Sequence, residues 1–140
     1  MNTNIMSINL VLINPNPMPY NEQKAMIEEK SIFRYPTYSM PLGFVEMIAY
    51  IRQSVDIANI ELIDFGVALH RFYENINDNS IKTIDEFIAH EISKCGFVPD
   101  IVGLSLMFSS SYKVSMKTIE MAKKKWPNST SVFGGNQATN

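Results

Sequence analysis

The chain has 140 residues, 46% of them apolar and 19% charged, with a formal net charge of −2. This composition excludes a disordered chain and fits one domain, and without a basic surplus or stripe it speaks against a nucleic-acid partner. The single cysteine, Cys95, excludes an internal disulfide and any multi-cysteine zinc or iron–sulfur site within these residues.

The first element is Ile8 to Ile13, an apolar run that reads as a buried strand ended by the turn signal Asn14-Pro15. It is too short for a signal sequence, and no stretch approaches the ~20 apolar residues that span a bilayer. A cytoplasmic protein with no membrane partner is therefore expected. A long connection follows, carrying Pro15, Pro17, Pro19, Pro36 and Pro41. Long loops of this kind often bind ligands or act as lids. Glu22 to Lys30, in its middle, reads as a short helix.

Pro41 opens the first main helix at its N1 position, where a missing N–H costs nothing. Phe44, Met47, Ile48, Ile51 and Val55 fall at helical spacing as one apolar stripe. Asn59 to Phe65 is the second strand, closed by Gly66, and Val67 to Ser80 is ambiguous. Thr83-Ile84-Asp85-Glu86 is a capping box, in which the threonine hydroxyl and the glutamate satisfy each other's backbone N–H groups. Ile84, Phe87, Ile88, Ile92 and Cys95 form the core face of the helix it starts, and Gly96 is the expected left-handed stop. The third strand is expected over Ile101 to Phe108. Ser109-Ser110-Ser111 then caps a helix to Trp126, whose last turn places Lys123, Lys124 and Lys125 where cations complement the helix dipole. Thr130 to Phe133 is the last strand, and it runs into Gly134-Gly135.

Alternating strands and helices imply an α/β fold: a Rossmann-like, flavodoxin-like parallel sheet of four strands with right-handed crossovers and helices on both faces. Such sheets bind ligands beyond the strands' carboxyl ends. Three loops are expected there: Asn14-Pro15 onward, Ser105 to Ser111, and Gly134 to Thr139. A P-loop and a Gly-x-Gly-x-x-Gly fingerprint are absent. The two histidines, His70 and His90, are isolated, and no nucleophile–base or paired-carboxylate constellation is visible. Cys95, on an apolar helix face, reads as an inert buried thiol.

Four segments carry a family resemblance. They are Val11-Leu12-Ile13-Asn14-Pro15; Pro41-Leu42-Gly43-Phe44 with Ile48-Ala49-Tyr50-Ile51-Arg52; Pro99-Asp100-Ile101-Val102-Gly103-Leu104-Ser105; and Gly134-Gly135-Asn136-Gln137-Ala138-Thr139. In this order and spacing the chain resembles the N-terminal cobalamin (vitamin B12)-binding domain of class B radical S-adenosylmethionine enzymes. The resemblance implies that cobalamin binds with its nucleotide tail threaded beside the strand ends. Asn14, Pro15, Ser105, Met107, Phe108, Ser109, Ser110, Gly134, Gly135 and Gln137 are then the contacts. The glycines admit a close approach, Met107 and Phe108 pack on the ring or base, and the serines act either as ligand contacts or only as a helix cap.

Neither histidine sits in an Asp-x-His-x-x-Gly context, so no protein histidine is expected on cobalt. Two departures from the family pattern stand out. Gln137 replaces a histidine of the terminal motif. The further helix and strand of the family's domain, and the barrel carrying Cys-x-x-x-Cys-x-x-Cys, do not occur in this sequence. The resemblance thus implies that residues 1–140 are a C-terminally truncated cobalamin-binding-like Rossmann domain. S-adenosylmethionine and a [4Fe-4S] cluster would belong to a missing C-terminal part. The expected partners are cobalamin and either that radical domain or a second copy meeting the last strand. Two other readings stay open: a stand-alone, non-enzymatic module for a corrinoid or another small ligand, and a flavodoxin-like scaffold that binds nothing.

Overall fold

A run such as Leu10-Val11-Leu12-Ile13 is stable as a strand only where both of its faces are covered. The chain places it in the interior of a sheet. In a computed structural model, which describes residues 7–32, 36 and 40–138, the strands are β1 (Ile8–Asn14), β2 (Ile57–Asp64), β3 (Ile101–Ser105) and β4 (Thr130–Gly134). The helices are α1 (Tyr20–Glu29) and α2 (Leu42–Ser54) between β1 and β2, α3 (Phe65–Glu74) and α4 (Ile84–Ser93) between β2 and β3, and α5 (Tyr112–Lys125) between β3 and β4. All strand pairs are parallel, in the order β2-β1-β3-β4, so the fold is the expected α/β Rossmann-like one, with β4 at an edge.

This order decides which face each helix covers. The chain steps from β1 outward to β2, then back across β1 to β3 and on to β4. Right-handed crossovers put the first connection on one face and the other two on the opposite face. Val11 and Ile13 of β1, with Val102 and Leu104 of β3, accordingly enter the main core beneath α3, α4 and α5. Helix α1 joins that side by packing on α4, and only α2 stands on the other. Phe87 anchors the main core, with edge-on contacts to Phe65 at 5.9 Å and Phe72 at 6.0 Å.

The capping box forms as expected: Glu86 N–H donates to Thr83 Oγ1 at 3.1 Å, and Thr83 N–H donates to Glu86 Oε2 at 3.2 Å. Ile84, Phe87, Ile88, Ile92 and Cys95 are buried, and Lys123 to Lys125 occupy the last turn of α5.

Several expectations are corrected. The second strand begins two residues early and ends at Asp64. The Asp64 carboxylate accepts N–H bonds from Gly66 (2.7 Å) and Val67 (3.3 Å), so Phe65 and Gly66 start α3 rather than finish a strand. The ambiguous stretch after Gly66 continues this helix to Glu74, burying Phe65, Ala68, Leu69 and Phe72. Gly96 is not left-handed; the helix before it closes with i−3 bonds, from Lys94 N–H to Glu91 O and from Cys95 N–H to Ile92 O. The third strand stops at Ser105, and Ser109–Ser111 forms a 3-10 turn in which no serine side chain caps α5. Pro41 is the N-cap of α2 rather than its first residue, and the stripe on α2 is not a finished core face, because no residue of α2 is fully buried.

Two predictions follow from this packing. Phe87→Ala should destabilise the fold by about 3–5 kcal/mol, read as a lowered urea midpoint. Glu28 of α1 accepts a hydrogen bond from Lys24 Nζ and another from Ile84 N–H (3.3 Å), which hold its carboxyl below the usual 4.5. A depressed carboxylate pKa stabilises the fold above the unfolded value and loses that contribution as pH falls through the folded value. The stability gap between wild type and Glu28→Gln should therefore be present at neutral pH and shrink as pH falls below the usual carboxylate range, measured by urea titration.

Candidate functional site

Side chains alternate along a strand, so Leu10 and Leu12 point away from the main core toward α2. The register continues this surface across the sheet. Leu12 pairs with Leu62 on one side and Gly103 on the other, and Gly103 pairs with Val132. Leu10 and Ile101 form the row beneath. Gly103 has a specific role in this floor. A Cβ on it would lie 2.7 Å from Leu12 Cδ2, so the leucine side chain occupies the space that any larger residue would need.

Helix α2 roofs the floor with Phe44, Met47 and Ile51, but does not press onto it. A cavity of about 510 Å³ lies between them, within the range of about 300–1,000 Å³ typical of small-ligand sites. Its mouth lies at the carboxyl ends of the strands and is lined by Asn14, Ser105, Met107, Gly134 and Gly135. β1 and β3 leave in opposite directions there, which is the switch point of the sheet.

The mouth is tied together by hydrogen bonds. Asn14 Nδ2 donates to Asp64 Oδ2 at 3.3 Å, linking the end of β1 to the cap of α3. Leu106 N–H donates to Gly134 O at 2.6 Å, which fixes the loop after β3 to the end of β4. Gly135 has φ +96°, and a Cβ there would meet the Leu106 carbonyl carbon and oxygen at 3.0 Å and Met107 Sδ at 3.1 Å. Both conformation and space therefore require glycine at 135. At Gly134 a Cβ would meet nothing within 4 Å.

Of the residues expected to contact a ligand, the structure brings Asn14, Ser105, Met107, Gly134 and Gly135 together. Pro15, Phe108, Ser109 and Ser110 stand apart from the cavity. Pro15 is buried behind the end of β1, and Phe108 is 53% exposed and outside the lining. Ser109 faces solvent, while Ser110 Oγ donates to Pro17 O at 2.7 Å, joining two loops. Ser111 Oγ donates to Phe108 O. Ser110 thus ties this loop to the one after β1, and Ser111 bonds within its own loop. Gln137 falls in the 3-10 turn Asn136–Ala138 after Gly135, and Thr139 lies outside the described residues. Leu10, Leu12, Ile101, Gly103 and Val132 escaped the sequence reading, although a glycine inside the strand Ile101 to Ser105 was a usable sign of close approach.

Reactive side chains lie elsewhere. Cys95 is buried and donates from Sγ to Phe97 O; burial pushes its thiol above the ordinary value, the opposite of an activated nucleophile. His70 is 3.7 Å from Glu74 and His90 3.2 Å from Glu91, on helices of the opposite face of the sheet. A second cavity, of about 380 Å³, holds Asp85, Lys117, Glu120 and Lys124, whose charges pair with one another. Comparison with family models, curated proteins and solved structures finds no match to this chain. Among the described residues, no group of three or more His, Cys, Asp or Glu is arranged to hold a metal ion, and no helix is long and apolar enough to cross a membrane. The lining of the cavity offers the polar side chains of Asn14 and Ser105 and an otherwise apolar wall.

The two adjacent glycines should separate in mutagenesis. Gly135→Ala should destabilise the fold by about 1–3 kcal/mol through a strained left-handed backbone. Gly134→Ala should stay within about 0.5 kcal/mol of wild type. Chemical denaturation of both variants checks the contrast.

Proposed function

We propose that residues 1–140 are a cobalamin-binding segment of a cobalamin-dependent radical S-adenosylmethionine enzyme. The observation that carries this reading is the apolar cavity at the switch point, whose mouth takes Asn14, Ser105, Gly134 and Gly135 from three of the four segments in which the family resemblance lies. The residues fit the group. Gly134 and Gly135 present bare backbone at the mouth, Gly103 keeps the floor low, and Phe44, Met47 and Ile51 offer an apolar roof for the base of a nucleotide tail. Asn14 and Ser105 stand where the polar part of such a tail would leave the slot. The volume suits the tail rather than a whole corrin ring, which would lie outside against Met107.

Cobalamin in this position would relay a methyl group or assist radical chemistry carried out by another domain. That domain would supply S-adenosylmethionine and the [4Fe-4S] cluster, because a single cysteine cannot ligate a cluster. It would also be the segment's partner, unless a second copy meets the edge strand β4, where Val132 and Phe133 are 49% and 37% exposed. A stand-alone module for a corrinoid or another small ligand is the second reading. It is favoured by the lining of the cavity, which among the described residues holds no acid, base or nucleophile other than the Ser105 hydroxyl.

Hydroxocobalamin mixed with the folded chain should co-elute on gel filtration, read by its visible absorbance. Gly134→Leu places a side chain at the mouth, where its Cβ meets nothing within 4 Å, so it should weaken binding at least about tenfold with an unchanged far-UV circular dichroism spectrum. A folded wild-type chain that retains no cobalamin would overturn the assignment. Neither histidine is near the cavity, so the double variant His70→Ala, His90→Ala should leave the ligand-field bands of bound cobalamin in place. A shift of those bands would instead put a protein histidine on cobalt.

A further inference from the structure

The polarity of the cavity is distributed along its depth. Its two polar side chains, Asn14 and Ser105, sit at the mouth. Below them, from Leu12 and Gly103 down to Leu10 and Ile101, the floor is hydrocarbon, and the roof of Phe44, Met47 and Ile51 matches it. The strand backbone supplies no substitute in this deep part. β1 lies between β2 and β3, and β3 between β1 and β4, so their N–H and C=O groups are engaged in ladders on both sides. From Ser105 to Ile101 this unbonded surface extends about 13 Å, at roughly 3.3 Å per residue. That is deep enough to enclose a fused two-ring heterocycle.

We propose that the slot beneath α2 selects the end of the ligand's tail, taking a flat apolar fused ring and discriminating against a purine. Resting on the corrinoid reading above, this means that the chain prefers cobalamin, whose lower base is dimethylbenzimidazole, to a corrinoid with adenine as its lower base. The physical reason is desolvation. Adenine carries an exocyclic amine and ring nitrogens that are hydrogen-bonded in water and would find no partner in the deep part of the slot. A buried polar group without a partner is costly, whereas methyl groups on a benzimidazole gain from the same surroundings. The roof adds an aromatic ring from Phe44 and a thioether from Met47, both of which favour a stacked apolar ring.

Gly103 is the specificity-determining residue in this arrangement. It keeps the Leu12 side chain low on the floor, 2.7 Å from the position a Cβ would take. Gly103→Ala forces the end of Leu12 to move, and the open direction is into the slot. The substitution should therefore act on recognition of the base and leave contacts of the corrin ring outside the mouth intact.

The test is isothermal titration of the chain with three probes: hydroxocobalamin, the corresponding adenine-base corrinoid, and cobinamide, which has no base. The proposal expects cobalamin to bind at least about tenfold more tightly than either of the others, from the cost of burying unpaired polar groups in one case and of an unfilled apolar slot in the other. In Gly103→Ala, cobalamin should fall toward the affinity of cobinamide, while cobinamide is unchanged. Should that variant unfold by circular dichroism, Ile101→Phe, which fills the slot from its deep end, replaces it with the same expectation. Equal affinities for cobalamin and the adenine-base corrinoid overturn the selectivity and leave the corrinoid reading standing. Equal affinities for cobalamin and cobinamide show that the base does not enter the slot, and also overturn it. Binding of none of the three by the folded chain overturns the corrinoid reading and this inference with it.

Discussion

The structure depends on one constraint: β1, a strand apolar on both faces, must be covered on both faces while lying between two parallel neighbours. The two sides are covered unequally. Val11 and Ile13 meet a core contributed by α1, α3, α4 and α5, with Phe87 at its centre. Leu10 and Leu12 meet one helix, α2, which buries none of its residues fully. An apolar surface with an incomplete lid is a poor way to stabilise a fold, since each unburied Å² forgoes about 25 cal/mol. It is a good way to hold an apolar ligand, because the ligand then completes the packing and its binding free energy adds to folding stability.

Register turns this incomplete face into a shaped site. Because Leu12, Gly103 and Val132 align across three strands, the residue without a side chain falls in the middle of the floor, and Leu12 folds over it. Because β3 and β4 end together, at Ser105 and Gly134, the Leu106 N–H can reach the Gly134 carbonyl and close one side of the mouth. Gly135 follows with φ +96° against the Leu106 carbonyl. The two glycines that look equivalent in the sequence thus have separate physical tasks: Gly135 turns the chain, and Gly134 leaves the mouth open.

The strand–helix alternation, the capping box at Thr83, the buried face from Ile84 to Cys95 and the lysines ending α5 were all legible in the sequence, because each depends on neighbours within about four residues. The end of β2 was misread because Phe65 has strong strand propensity, yet Asp64 supplies the acceptor that starts a helix. The serine run was expected to cap α5, and no serine side chain does so; the Ser110 and Ser111 hydroxyls bond the Pro17 and Phe108 carbonyls. One of those partners lies 93 residues away in sequence, beyond the reach of any local rule.

The sequence by itself determined the fold class and two of the strand ends at the mouth of the cavity, since those ends are marked by local turn chemistry at Asn14-Pro15 and Gly134-Gly135. Only the tertiary structure decided the depth of the site. Strand order and crossover hand put α2 on one side of β1 and α3, α4 and α5 on the other, the packing of α1 on α4 adds it to the larger group, and none of this is written in any one segment. The floor of Leu10, Leu12, Ile101, Gly103 and Val132 exists only when β1, β3 and β4 lie side by side in this register. β1 alone shows two apolar faces, Leu10 and Leu12 on one and Val11 and Ile13 on the other. It is the unequal covering of those faces that makes one a core and the other a cavity.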